Sequence, residues 1–126
     1  MKKTTIGIAV ILGIILMLYG GLHLFGRMIY NTQSCELYNI DNIELRTGVN
    51  IPKVTATECE CKNNKKVSKF SIDMDTIDLD DYVISNELTL VDGLYIKEND
   101  NENSTYRVVF DKITGELTID LTYKDN

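Results

Sequence analysis

The chain has 126 residues, one histidine, no tryptophan and a formal net charge of −6. All 19 acidic residues lie at or after Glu36, and three of the 13 basic ones (Lys2, Lys3 and Arg27) flank an apolar run near the N-terminus, so the remainder carries 19 acidic against 10 basic residues, a net charge of −9. That balance argues against a nucleic-acid surface, which needs clustered Lys and Arg, and the length allows one small folded domain beyond the apolar run, not two.

The run is Ile6 to Phe25, with no charged residue. A membrane-crossing helix needs about 20 apolar residues, and inside a bilayer such a run must be helical because every backbone polar group has to bond within the segment. We read it as a transmembrane signal-anchor, with residues 1–30 forming a cytoplasmic tip plus span and residues 31–126 a separate domain. Lys2 and Lys3 before the run, against Arg27 alone close after it, predict a cytoplasmic N-terminus. The domain would then lie outside the cytoplasm, in the periplasm or at the cell exterior, as part of a single-pass membrane protein of the cell envelope. The alternative is a cleaved signal peptide ending near Gly20, Gly21 or Gly26, which would make the domain secreted. Thr5, Ala9 and Gly13 recur at a spacing that lets two helices approach closely, so a homodimer is one possible assembly.

Met28–Ser34 reads as a polar juncture. From Cys35 to Thr47 the apolar residues Leu37, Ile40 and Ile43 recur every third position, which predicts a short amphipathic helix. Gly48 lies just past its end and Pro52 prevents continuation. Lys53–Cys61 reads as a strand, with Thr55, Thr57, Cys59 and Cys61 on one face. Lys62–Lys65 is a turn. Val67–Asp75 alternates Phe70, Ile72 and Met74 with Lys69, Ser71, Asp73 and Asp75, the pattern of a strand with one packed and one wet face.

Thr76–Glu87 predicts a helix with acids in its first turn, followed by a short strand before the turn dipeptide Asp92-Gly93. Leu94–Lys97 is a strand, and Glu98–Ser104 is expected to be an exposed, mobile acidic loop. Thr105–Phe110 and Glu116–Tyr123 form a last hairpin around Gly115. The sum is an α+β domain: an antiparallel sheet of four to six strands with one or two short helices on one face.

The cysteines are the most informative polar residues. Outside the cytoplasm they are expected to oxidise. Cys59 and Cys61 stand on one face of an extended strand, too far apart for an unstrained bond. The expected bridge therefore joins Cys35 to either Cys59 or Cys61 and leaves one thiol over. The competing use of the three is a thiol-redox or metal site.

The acidic run Asp73, Asp75, Asp78, Asp80 and Asp81 departs from the EF-hand pattern, which requires Gly and Glu at set positions. Asn103-Ser104-Thr105 is a glycosylation sequon. Nucleophilic and general-base catalysis usually needs His, and the single His23 lies within the apolar run. We expect no enzyme, no cofactor and no catalytic residue. The expected role is a non-enzymatic interaction module, an envelope accessory subunit or an immunity- or inhibitor-type protein, engaging the membrane through its N-terminal helix and a protein partner through its acidic domain.

Overall fold

The computed structural model describes residues 2–124, which divide into two compact units, one ending at Asn31 and one beginning at Thr32.

The first unit is helix α1, Lys2–Asn31. At about 1.5 Å rise per residue it is roughly 45 Å long, and it is long and apolar enough to cross a membrane. It extends beyond Phe25 through most of the stretch read as a polar juncture. No proline interrupts Gly26–Asn31, and Met28 and Tyr30 continue the helix without penalty.

The second unit opens with a non-helical segment, 32–38, in which the Ser34 hydroxyl oxygen accepts from the backbone N–H groups of Glu36 and Leu37. Helix α2 then runs Asn39–Thr47. It starts four residues later than the spacing predicted, because Tyr38 stands at a left-handed φ of 54° and breaks the helical path. At the other end Gly48 takes φ 71° and its N–H closes on the Glu44 carbonyl, a conformation that costs glycine little.

Six strands follow: β1 (Val54–Lys62), β2 (Lys65–Ile72), β3 (Thr89–Val91), β4 (Leu94–Asp100), β5 (Ser104–Asp111) and β6 (Glu116–Tyr123). Between β2 and β3 lie a single 3₁₀ turn, Met74–Thr76, and helix α3, Leu79–Ser85. All neighbours pair antiparallel in the order β1-β2-β6-β5-β4-β3. The fold is thus α+β, a six-stranded antiparallel sheet with two short helices.

Two further expectations are corrected. Strand β2 ends at Ile72, and Met74 and Asp75 belong to the 3₁₀ turn, with the Asp73 carboxylate accepting from the Asp75 N–H. Asp78 likewise caps α3 by accepting from the Asp81 N–H, so two of the five clustered acids serve as helix caps. The acidic stretch Glu98–Ser104 is not a long loop. β4 continues to Asp100, β5 begins at buried Ser104, and only 101–103 turn between them. The Asn101 side-chain oxygen accepts from the N–H groups of Asn103 and Ser104 and closes that turn.

The core forms on one side of the sheet, where strand alternation sets Phe70, Leu117, Phe110, Val108, Ile119 and Leu121 against Ile43 of α2 and Tyr82 and Val83 of α3. On the opposite side Lys65, Lys69, Arg107 and Glu98 are exposed.

Candidate functional site

The two-residue turn Asn63-Asn64 joins β1 to β2 in a fixed register that sets Cys59 opposite Ser68 and Cys61 opposite Lys66. Alternation sends these four side chains to the helix-covered side of the sheet, with buried Phe70. α2 lies over that end. Its buried residues are Asn39, Asn42, Ile43, Arg46 and Thr47, while Leu37 and Ile40 are exposed. The helix therefore turns a largely polar face inward, contrary to the apolar spacing. The reason lies across from it: Lys66 and Ser68 of β2 are buried and need hydrogen-bonding partners.

Asn42 supplies one set. Its side-chain oxygen accepts from the Lys66 ammonium at 2.8 Å and from the Tyr123 hydroxyl at 2.6 Å. Lys66 is only 1% exposed, and the Arg46 guanidinium lies 4.9 Å from the centre of the Tyr123 ring. Burial lowers the Lys66 pKa to about 8, the Cys61 sulfur opposing that shift and Arg46 adding to it. Asn39 supplies the other set. Its amide donates to Ser68 Oγ at 3.2 Å, and Ser68 Oγ in turn donates to Cys59 Sγ at 3.4 Å. The Asn39 side-chain oxygen is buried without a hydrogen-bond partner.

A disulfide joins Cys35 to Cys59, with Cα atoms 5.6 Å apart. Cys61 is a free, exposed thiol and donates to the Gln33 carbonyl at 3.0 Å. The three sulfur atoms all lie within 4.8 Å of one another. A crosslink spanning 24 residues stabilises the fold by about 3 kcal/mol in the chain-entropy account. Were the disulfide reduced, three thiolates would form a soft donor set suited to Cu(I) or Zn²⁺; as bonded, two of the three are committed to each other.

Sequence reasoning brought the cysteines together but missed Asn39, Asn42, Arg46, Lys66 and Ser68. One signal was there to read: Lys66 and Ser68 extend the alternation of Phe70 and Ile72 towards the N-terminus.

The buried ammonium predicts a pH effect. Below pH 8 both folded and unfolded states hold the Lys66 proton, and the cost of burying the charge is fully present. Between about 8 and the ordinary 10.5 the folded state releases that proton first. The unfolded state then binds more protons, so this group's contribution to stability rises with pH. Lys66→Met should therefore be at least as stable as the wild type at pH 7, with its advantage shrinking towards pH 10.5. Urea midpoints of both proteins at pH 7 and 10 measure this, and an advantage that grows with pH would contradict it.

The uncovered face of the sheet is the second candidate. Lys65 pairs with Asp120 at 3.4 Å, Arg107 with Glu98 at 3.8 Å, and Lys124 with Asp100. Hydrogen bonds from the Lys124 ammonium and then the Thr105 hydroxyl hold the Asp100 carboxyl below its usual pKa. Lys65, Asp120, Arg107, Glu98 and Asp100, with Thr122 between them, line a shallow hollow of about 620 Å³. Its charges are largely matched within the face, so the hollow itself lacks the bare negative field expected from the domain's composition. Compared with known proteins, the chain matches no family model, no curated protein and no solved structure.

Proposed function

We propose that this chain is a single-pass, membrane-anchored interaction protein without enzymatic activity. α1 crosses the bilayer with Lys2 and Lys3 on the cytoplasmic side, and the domain from Thr32 onward stands outside the cytoplasm. There it docks a protein partner, as an envelope accessory subunit or an immunity- or inhibitor-type protein does. The observation that carries this reading is the one-sided sheet. Both short helices pack on the Phe70–Leu117–Phe110 side, and the other face presents paired charges and half-buried Thr105, Val109, Thr118 and Thr122 across four strands. A broad face of that composition resembles the polar, partly apolar surface of a non-obligate interface.

The test is a photo-crosslinking residue placed at position 120, central on the open face, or at position 113 in the β5–β6 turn, in the full chain in native membranes. A defined heterologous adduct is expected from position 120 and not from 113, and an added charge reversal at Arg107 should abolish it. Equal adducts from both positions would defeat the reading. Adducts of the chain with itself alone would replace it with self-association.

A further inference from the structure

Independently of what the open face binds, we propose that Cys35, Cys59 and Cys61 form a thiol–disulfide exchange site, in which Cys61 displaces Cys59 from Cys35 and the free thiol passes between the two β1 positions. The first observation is proximity: a free thiol and both sulfurs of an intact disulfide lie within 4.8 Å of one another. Exchange proceeds by attack of a thiolate on one disulfide sulfur, so this arrangement holds both reactants in one chain.

The geometry selects which sulfur is attacked. Attack on Cys59 would join Cys59 to Cys61, two alternate residues of a regular stretch of β1. Their Cβ atoms stand about 6.8 Å apart along a strand, against the ~3.8 Å that a disulfide requires. Attack on Cys35 has no such obstacle, because Cys35 lies in the non-helical segment before α2. The step balances without an outside oxidant or reductant. Cys61 gives its proton to solvent base, its thiolate forms a bond to Cys35 Sγ, the Cys35–Cys59 bond breaks, and Cys59 leaves with the electron pair. One thiol and one disulfide exist before and after. Bridging Cys35 to Cys61 instead of Cys59 lengthens the closed loop by two residues, so chain entropy separates the two isomers by a factor of only about 1.1.

The surroundings suit both sulfurs. Ser68 Oγ already points its hydrogen at Cys59, held there by Asn39, and a hydrogen bond of that kind stabilises a departing thiolate. Lys66 stands opposite Cys61 in the register, so the attacking sulfur lies at the polar end of the α2-covered face.

The experiment uses the full chain in detergent, incubated anaerobically at pH 8.5, quenched with acid and alkylated. Cleavage after Glu60 separates Cys59 from Cys61 for mass spectrometry. The label should appear on both Cys59 and Cys61, with matching Cys35–Cys61 and Cys35–Cys59 crosslinks, and the redistribution should be independent of protein concentration. Label on Cys61 alone throughout would overturn the proposal. So would redistribution that speeds up with protein concentration, since the exchange would then run between molecules. Ser68→Ala should slow the wild-type redistribution severalfold while leaving the crosslinked total unchanged; an unaltered rate would count against the assigned route through a departing Cys59.

Discussion

Replacing Phe110 by Ala is expected to destabilise the folded domain by about 4 kcal/mol, the range for a fully buried aromatic truncated in a packed core. Phe110 is completely buried near the C-terminal end of β5, between Leu117 of β6 and Tyr95 of β4. The Tyr82 ring meets it edge-on at 5.6 Å and the Tyr95 ring lies 6.5 Å away. Removing the ring thus empties the place where α3 rests on the sheet. A domain of this size has a total stability on the order of 5–14 kcal/mol, so the loss removes from about a third to most of it. Tyrosine near-UV circular dichroism during urea denaturation measures the loss. Ile113→Ala is the matched control: its side chain is 86% exposed in the β5–β6 turn, and its midpoint should move by less than about 0.5 kcal/mol equivalent. Similar shifts for the two would mean that the aromatic cluster is not the core it is taken to be.

Asn42→Ala should cost about 3–4 kcal/mol, nearly as much, from a polar residue. One carboxamide oxygen serves both the Lys66 ammonium and the Tyr123 hydroxyl. Its removal leaves the Lys66 ammonium in a dry site without that acceptor and takes one hydrogen bond from the Tyr123 hydroxyl; the desolvation of the buried charge dominates the cost. The coupling gives a sharper reading than the single loss. In the Asn42→Ala/Lys66→Met double variant most of the damage should be relieved, because the stranded charge is gone. Additive losses would show that Asn42 acts through the helix itself and not through Lys66.

These two residues mark where the sequence could and could not be read. Phe110 follows from alternation: Tyr106, Val108 and Phe110 on β5 and Leu117, Ile119 and Leu121 on β6 point one way by a simple two-residue period, and the hairpin between them carries its glycine. The apolar run Ile6–Phe25 and the Asp92-Gly93 turn were legible for similar reasons, since each signal is local. Asn42 was not legible. Of the spaced apolar residues only Ile43 faces the core, while Leu37 and Ile40 are exposed, and only the buried Lys66 and Ser68 on a strand some 25 residues later explain why Asn39, Asn42 and Arg46 turn inward. The continuation of β4 through Glu98, Asn99 and Asp100 was hidden in the same way. Those residues have low strand propensity and are held by pairing with Arg107, Tyr106 and Thr105. The cysteine partnership lay between these cases: spacing along β1 excluded one bond, and the choice between the other two needed three-dimensional proximity.

The position of β6 has a consequence for how the chain comes to be folded. It lies between β2 and β5, so the hairpin of β1 and β2 and the meander of β3, β4 and β5 share no paired edge until residues 116–123 arrive. A chain delivered N-terminus first, through a ribosome exit or a translocation channel, therefore spends its emergence as two half-sheets, each with an unpaired strand and an uncovered apolar face. Long-range pairing of this kind is slow and open to mispairing. Cys35, Cys59 and Cys61 all emerge before that last strand. The crosslink at one end of the domain can thus be made, and remade, while the sheet is still waiting to close.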